Sequence, residues 1–378
     1  MRILVINWQD LRNPLAGGAE VHLHEVFSRI ARRGHDVTLL CSMFDGAAGV
    51  ETVDGVKVVR HGSRSLFNYI VPRMYRRIGG GTFDVVVEDL NKIPFFTPLF
   101  VREPLVGIGH HLFRTSIYRE TNPIVASYVF GMEWLALRLY ARRGMPFLVN
   151  SPSTLEDFAH HGVPRDALTL AYLAVNHDLF RLTGVAKSPT PLIGCFGRLK
   201  RYKSIEVLLR ALPAVLEQVP ALRVVIAGEG DDRPRLEQVT RNMGLNDVVR
   251  FTGFITAEAK VDLLQRIWWK VATSVKEGWG LTVTEANACG TPVIASDVPG
   301  LRDAVRDGDT GVLFPYGDSG ALAATLVRLL RDSGERERMS RNALDYAATF
   351  TWDNAAATTL EVLERVCRRE GQGAGNSR

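Results

Sequence analysis

The chain has 378 residues, of which 46% are hydrophobic and 23% charged, proportions that are ordinary for a soluble globular protein. Its formal net charge of +5 is spread over both halves, so neither half is typical of a basic nucleic-acid-binding module. The four cysteines lie far apart, which argues against a disulfide framework or a cysteine-rich zinc site and favours a cytoplasmic location.

The first residues, Met1–Asn7, are typical of a buried strand rather than of a signal peptide. No continuous apolar run reaches the ~18–20 residues that a membrane span needs. A domain holds roughly 100–200 residues, so the length predicts two domains.

Short apolar runs alternate with amphipathic stretches along the whole chain, and the first such stretch, Ala19–Arg33, ends before Gly34. Buried strands separated by helices predict parallel sheets with right-handed crossovers, and two such series predict two Rossmann-like domains. The predicted strands are Ile3–Asn7, Val37–Cys41, Val56–Arg60, Val85–Val87, Leu105–Gly109, Phe147–Asn150 and Leu168–Leu173 in the first half, then Leu192–Phe196, Val224–Ala227, Val249–Phe251, Val271–Ser274 and Val293–Ala295.

The domain boundary is predicted within Arg181–Pro191, which is rich in turn residues and lacks a periodic apolar pattern. We therefore expect domains over residues 1–185 and 186–350. Residues 351–370 are predicted to form a helix, and the Gly/Ser/Asn-rich residues 371–378 a disordered tail.

In open parallel sheets, ligands bind beyond the carboxyl ends of the strands, so polar residues that follow predicted strands are candidate site residues. After the first strand, Gly17 and Gly18 precede a helix, where their N–H groups could approach an anion or simply form a tight turn. The strand Leu105–Gly109 is followed by His110, His111 and Arg114. A histidine there could bind a substrate hydroxyl or act in acid–base chemistry, or it could be structural.

Two strand ends in the second half carry charged residues. Leu192–Phe196 is followed by Gly197, Arg198 and Lys203; a planar guanidinium and an ammonium together suit a diphosphate, and the alternative is a solvated basic turn.

Val271–Ser274 is followed by Glu277, Gly278 and Gly280, and then by a helix that contains Glu285. Glycines at a helix start expose N–H groups to phosphate oxygens, and carboxylates accept hydrogen bonds from sugar hydroxyls. The alternative for either glutamate is a helix cap or an exposed charge. An Asp-x-Asp pattern at Asp307 and Asp309 is interpreted as a turn, so no metal site is predicted.

Residues 66–78 combine apolar side chains at helical spacing with tyrosines and arginines. Two interpretations stay open: a helix packed on the sheet with a solvated basic face, or a helix in peripheral contact with anionic lipid on the inner face of a membrane.

These residues together resemble family 4 retaining glycosyltransferases of the GT-B fold. The Glu277–Glu285 spacing matches the family's Glu-x7-Glu motif, and Gly197-Arg198…Lys203, Gly228-Glu229-Gly230, Val249–Gly253, Gly17–Glu20 and His110 also match. The resemblance implies an α/β architecture of two Rossmann-like domains with parallel sheets that face each other across a cleft. It also implies that the C-terminal helix returns to the N-terminal domain, which binds the acceptor.

The resemblance implies roles for individual residues. Arg198 and Lys203 neutralise the donor diphosphate, Glu277 holds hydroxyls of the transferred sugar, Glu285 binds the ribose and His110 contacts the sugar near the reaction centre. Further donor-binding positions are Gly17, Gly18, Gly197, Gly228, Arg250, Phe251, Gly278, Trp279, Gly280 and Leu281, with the base near Arg250–Phe251; His111 and Arg114 are acceptor candidates. Where the family usually has glycine after the lysine, this chain has Ser204, which we expect to cap the next helix.

The implied activity is retaining transfer of a hexose-type sugar from a nucleotide-diphosphate sugar to a hydroxyl of a glycan, glycolipid or small molecule. The implied mechanism is a front-face course that needs neither metal nor cofactor. The alternative is a nucleotide-sugar-binding protein or a GT-B epimerase without transfer activity. No nucleic-acid partner is expected, and the oligomeric state is left open.

Overall fold

The computed structural model describes residues 1–90, 92–119 and 121–375, and it divides into two compact units. The first unit holds Met1–Leu173 and the chain from Trp352 onward, and the second holds Ala174–Thr351. The division therefore falls before the boundary predicted after residue 185. The reason is that the intervening segment bonds within the second unit: the Val175 N–H donates to the Phe350 carbonyl at 3.4 Å, and the Thr183 N–H to Gln265 Oε1 at 2.7 Å.

The first unit contains an eight-stranded sheet in the order β3-β4-β2-β1-β5-β6-β7-β8. All neighbouring strands are parallel except the edge strand β3, which is antiparallel to β4. The strands are β1 (Arg2–Ile6), β2 (Asp36–Cys41), β3 (Val50–Val53), β4 (Val56–Arg60), β5 (Val85–Leu90), β6 (Leu105–Gly109), β7 (Phe147–Val149) and β8 (Leu168–Leu170). The sequence patterns did not predict β3, whose four residues are half exposed.

Helices cover this sheet because each has one apolar face. They are α1 (Gly18–Arg32), α2 (Phe67–Arg77), α3 (Pro123–Arg142), α4 (Pro152–His160) and α12 (Trp352–Gly375), with 3-10 turns at Thr97–Leu99, Arg114–Arg119 and Arg165–Ala167. On α2, Phe67, Val71 and Met74 pack into a core with Leu4 and Val86 of the sheet. Residues 66–78 thus pack on the sheet by one face, and the helix continues through Pro72.

By length and composition, α3 could cross a membrane. Glu133 and Arg138 interrupt the apolar sequence of α3, so the prediction that no continuous apolar run reaches ~18–20 residues is not contradicted.

The second unit contains a six-stranded parallel sheet in the order β11-β10-β9-β12-β13-β14. The strands are β9 (Leu192–Phe196), β10 (Arg223–Ala227), β11 (Val249–Gly253), β12 (Trp269–Ala272), β13 (Val293–Ser296) and β14 (Gly311–Phe314). The helices are α5 (Glu206–Gln218), α6 (Arg233–Asn242), α7 (Ala257–Arg266), α8 (Leu281–Ala288), α9 (Leu301–Ala304), α10 (Ser319–Arg331) and α11 (Ser333–Ala348), with a 3-10 turn at Arg201–Lys203. This is the doubly wound order, and its direction reverses between β9 and β12.

The C-terminal helix α12 belongs to the first unit, where it packs against α1. Arg29 of α1 pairs with Asp353 at 3.2 Å, and the Cys367 thiol lies 3.4 Å from the Asp84 carbonyl oxygen. The backbone helix extends to Gly375, so helix continues into the segment predicted as a disordered tail from residue 371. Residues 376–378 lie outside the described residues.

Candidate functional site

The second unit brings charged residues together at the point where its sheet reverses direction. Arg198 and Lys203 follow β9, and Glu277 follows β12, the neighbouring strand. Because β9 and β12 are parallel, their carboxyl ends meet at one edge, where doubly wound sheets bind ligands. The Arg198 side chain is exposed there, whereas Lys203 and Glu277 are largely buried.

Lys203 and Glu277 form an ion pair, with Nζ 2.5 Å from Oε1, and the Ser274 hydroxyl donates to the same oxygen at 2.6 Å. Burial disfavours both charges, but the attraction between them outweighs burial. It raises the pKa of Lys203 and lowers the pKa of Glu277. The positive charge of Arg198 acts against that of Lys203. The two cations therefore face one region and suit a dianionic ligand.

The residue after Lys203 does not cap the next helix as expected. Ser204 ends the 3-10 turn with a left-handed φ of +49°, its hydroxyl lies 3.1 Å from the Tyr316 hydroxyl, and α5 begins at Glu206 without a side-chain cap. A left-handed backbone costs a non-glycine residue ~1 kcal/mol or more. This conformation explains why glycine suits the position.

A cavity of about 360 Å³, open to solvent, lies among these residues. Arg198, Lys203, Glu277, Thr282 and Lys270 line it. Lys270, which no sequence motif indicated, is buried within β12, and burial together with Lys203 lowers its pKa to about 8. The charges of Glu277 and Glu285 oppose that shift, so Lys270 is electrostatically coupled to both glutamates. A lysine in an otherwise apolar strand was the available signal.

The loop after β12 presents the N-terminus of α8 to this region. Gly280 precedes α8 with a left-handed φ of +85°, which only glycine adopts without strain, and the first helical residue is Leu281. The open N–H groups of a helix start favour an anion. By contrast, the indole of Trp279 is buried against Phe350, with ring centroids 5.0 Å apart. Any donor contact at Gly278 or Trp279 would therefore involve the backbone.

Glu285 lies on α8, one turn beyond Thr282, and does not line the cavity. Its Oε2 pairs with Nζ of Lys260 on α7, a lysine that the sequence analysis also missed. Lys260 lies 5.3 Å from the centre of the Phe180 ring. The two glutamates of the motif thus each hold a lysine, Glu277 within the cavity and Glu285 beside it.

Gly197 and Gly228 form the adjacent strand ends of β9 and β10. A Cβ on Gly228 would lie 2.0 Å from the Gly197 carbonyl oxygen, so the position requires glycine for packing alone. Arg250 and Phe251 align with the middle of β9 rather than with its carboxyl end, and Phe251 packs on the core. The exposed Phe254, directly after β11, is the aromatic side chain at the carboxyl end. Phe254 is therefore a further candidate for contact with the base, beside Arg250 and Phe251.

The first unit places its candidate residues at the carboxyl ends of β1, β5 and β6. Gly17 and Gly18 start α1, where the Gly17 N–H donates to Glu20 Oε2 at 2.7 Å. His110 follows β6, and its Nε2 lies 3.1 Å from Oδ1 of Asp89 on β5. Burial disfavours the imidazolium, but Asp89 outweighs burial and raises the pKa of His110.

His22 of α1 contacts His110 edge-on, with ring centroids 5.2 Å apart. Burial and the nearby His110 lower the pKa of His22 well below its ordinary value, which favours the neutral imidazole. Neither Asp89 nor His22 was predicted. Asp89 follows the apolar residues Val85–Val87 of β5, which was a usable signal, whereas the position of His22 depends on how α1 packs.

His111 packs its ring on Phe113 at 4.5 Å, and the Arg114 guanidinium lies 4.6 Å from the Phe130 ring centre. Arg114 Nη1 is buried without a hydrogen-bond partner among the described residues, so it retains donor capacity for a ligand. Within residues 1–90, 92–119 and 121–375, no group of three or more His, Cys, Asp or Glu side chains is arranged to hold a metal ion. Asp307–Asp309 forms a turn, as predicted, with Asp309 bonded to Asn342 at 2.6 Å.

Two family models match the chain side by side. Residues 16–179 match Glycosyltransferase Family 4, and residues 182–345 match Glycosyl transferases group 1.

Sequence relatives match over different lengths. A D-inositol 3-phosphate glycosyltransferase of Streptomyces bingchenggensis is 35% identical over 55% of this chain, which spans only 50% of that relative. One of the same name from Corynebacterium diphtheriae is 34% identical over 92% of this chain and 89% of the relative.

The Anabaena protein HepE, solved in complex with UDP-glucose, has the same fold, with a TM-score of 0.75 and 21% identity over 97% of this chain and 100% of that chain. The fold is thus GT-B, as predicted. The match to Glycosyltransferase Family 4 and the relative that aligns with almost the whole chain show that this chain belongs to glycosyltransferase family 4.

Proposed function

We propose that the chain transfers a hexose-type sugar from a nucleotide-diphosphate sugar to an acceptor hydroxyl, with retention at the anomeric carbon and without a metal ion. The observation that carries the proposal is the cavity at the β9–β12 strand ends, where Arg198, Lys203 and Glu277 meet beside the N-terminus of α8. The family membership of the chain supports the same activity.

Cleavage of a sugar–phosphate bond builds negative charge on the departing diphosphate and positive charge on the anomeric carbon. Arg198 and Lys203 stabilise the departing phosphate, and the open N–H groups of α8 add to this electrostatic effect. The Lys203–Glu277 pair keeps the lysine charged before the ligand arrives, so little reorganisation is needed. Glu277 accepts hydrogen bonds from the sugar hydroxyls, and Glu285 from the ribose.

The acceptor hydroxyl attacks on the face from which the diphosphate leaves and passes its proton to the departing phosphate oxygen. In this course the departing phosphate accepts the proton, no protein nucleophile is needed, and the sugar keeps its anomeric configuration. For His110 the family resemblance implies a contact with the transferred sugar. Asp89 fixes the orientation of the His110 ring and favours its charged form.

The choice of nucleotide and acceptor follows the similar proteins. HepE is described with UDP and UDP-glucose, so UDP-sugars are the first donors to test. Curated relatives are named D-inositol 3-phosphate glycosyltransferases, so polyol phosphates belong in the acceptor screen with saccharides and lipid-linked acceptors. His111 and Arg114 are the candidates for acceptor contact.

The proposal is tested by incubating the protein with UDP-sugars and the acceptor screen and following the products by proton NMR. We expect release of UDP together with a product that keeps the anomeric configuration of the donor, and equal rates with and without EDTA. An inverted product would contradict the front-face course. Loss of turnover in EDTA that returns on adding a divalent cation would contradict metal independence. Binding without turnover, or epimerisation of the donor, would favour the alternative functions.

The cations that hold the leaving group can be tested by substitution. We expect Arg198→Ala and Lys203→Ala each to lower kcat by roughly 10²–10³, the usual cost of removing one stabilising donor. Lys200→Ala is the matched control, because Lys200 lies in the same loop but pairs with Asp231 at 2.7 Å, and it should keep near-native kcat. Thermal unfolding verifies that each variant is folded. Near-native turnover of both Arg198→Ala and Lys203→Ala would show that the assignment is wrong.

The Asp89–His110 pair predicts a pH dependence. Asp89 raises the pKa of His110 above 6.5, the ordinary pKa of a histidine in the unfolded chain. The pair therefore contributes its full stabilisation at pH values below 6.5, and this contribution is lost as the pH rises through the raised pKa of His110. Asp89→Asn should therefore cost about 3 kcal/mol of unfolding free energy at low pH and less above that pKa. It should also lower the His110 pKa measured by NMR of labelled histidine. Asp84→Asn, at an exposed aspartate just before the same strand, is the control, and an unchanged His110 pKa in Asp89→Asn would refute the pairing.

A further inference from the structure

Helices α2 and α3 form an exposed surface that the proposed function does not use. They adjoin each other, with the Tyr69 and Tyr128 hydroxyls 3.2 Å apart. Large apolar side chains that are exposed to solvent concentrate here. Those at the start of α2 and along α3 are Leu66, Tyr69, Ile124, Val125, Tyr128, Trp134 and Leu135. We call this set with the arginines of the same two helices the α2–α3 surface.

The exposed residues of α3 follow a helical stripe. Ile124, Tyr128, Gly131 and Leu135 recur at spacings of four, three and four residues, which places them on one face, and Arg138 and Arg142 continue that face. Ile124 is 83% exposed and Trp134 is 41% exposed. The Arg138 guanidinium lies 3.7 Å from the centre of the Trp134 ring. The surface thus passes from apolar and aromatic to basic along about 30 Å of helix.

The charge on this surface has one sign. Exposed arginines are Arg73, Arg76 and Arg77 on α2 and Arg138 and Arg142 on α3. The single carboxylate on the two helices, Glu133, is buried and accepts from the N–H groups of Phe113 and Arg114 at 2.7 and 2.9 Å. Glu103, which contacts α2, bonds to the Tyr75 hydroxyl and the Gly81 N–H. Among the residues that the structure describes, no carboxylate pairs with these arginines, so an anionic partner meets positive charge there.

The surface lies on the folded unit and does not detach to span a bilayer. Although α3 is long and apolar enough for a span, Glu133 bonds to the neighbouring loop and Tyr140 donates to the buried Glu88 at 2.6 Å. Only 33% of its apolar stretch is buried within the protein. A helix with an exposed aromatic and apolar face flanked by arginines suits the interface plane of an anionic membrane, where apolar side chains enter the acyl boundary and cations contact the headgroups.

We propose that the α2–α3 surface docks the chain on an anionic phospholipid bilayer, with α3 lying in the interface plane. The inference goes beyond the proposed function and does not depend on it. Charge complementarity favours an anionic bilayer over a second copy of this chain, because a second copy would bring the same arginines against each other.

The test is co-sedimentation of the full chain with vesicles of phosphatidylglycerol and phosphatidylcholine, compared with phosphatidylcholine alone. We expect binding to the anionic vesicles at low salt, weakened by high salt, and little binding to the neutral ones. Trp134 is the one exposed tryptophan of six, all of them among the described residues, so its emission should shift to the blue on binding.

Two variants separate the contributions. Arg138→Ala with Arg142→Ala should lower the partition coefficient about thirty-fold, from ~1 kcal/mol per arginine. Tyr128→Ser, Trp134→Ser and Leu135→Ser together should lower it by roughly tenfold or more. Leu182→Ser, which removes a 56% exposed apolar side chain in the second unit, is the matched control and should bind vesicles like wild type.

Each variant should have the same unfolding temperature as wild type and the same shift of that temperature when UDP is added. A loss of vesicle binding then cannot be attributed to a change at the nucleotide site. The proposal is overturned if wild type does not bind anionic vesicles at low salt, or if the triple serine variant binds them as strongly as wild type does. It is also overturned if wild type is a dimer, the triple serine variant is a monomer, and neither protein binds vesicles.

Discussion

The ion pair between Lys203 and Glu277 is the interaction on which the candidate site depends. Each residue is brought to it by a different strand, Lys203 by the loop after β9 and Glu277 by the loop after β12. Two buried charges are stable there only because each compensates the other and Ser274 adds a hydrogen bond. The pair therefore holds two loops, a cation and a carboxylate in one arrangement before any ligand is present.

The surrounding residues extend this electrostatic arrangement outward. Arg198 adds an exposed positive charge, and the start of α8 adds backbone donors. Lys270 lies behind the pair, buried and coupled to both glutamates, so the polarity of the site continues into the sheet itself. A dianionic group at the strand ends would meet preorganised positive charge on one side and a carboxylate suited to hydroxyls on the other.

Much of this could be predicted from sequence, because motif residues at strand ends depend on local patterns. All twelve predicted strands occur, and the residues that follow β9 and β12 lie where parallel strands must bring them. Contacts that depend on tertiary packing were not predictable in this way. Lys260 reaches Glu285 from another helix, Asp89 reaches His110 across neighbouring strands, and Trp279 turns into the core.

Backbone geometry explains two further differences. Ser204 has a left-handed conformation that composition does not reveal, so the expected cap is absent. The two compact units divide after Leu173 rather than near residue 185, because Val175 and Thr183 bond to Phe350 and Gln265, which are distant in sequence. The exposed apolar stripe of α3 also emerged only from burial, since the sequence does not show which of its apolar residues pack inward.

Arg198 and Glu285 should both contact one bound nucleotide diphosphate, and calorimetric titration with UDP measures the contribution of each. We expect a single site in wild type and at least a roughly tenfold loss of affinity in both Arg198→Ala and Glu285→Gln, since hydrogen bonds to charged groups contribute about 1.5–3 kcal/mol. UDP affinity that is unchanged in both variants would contradict it.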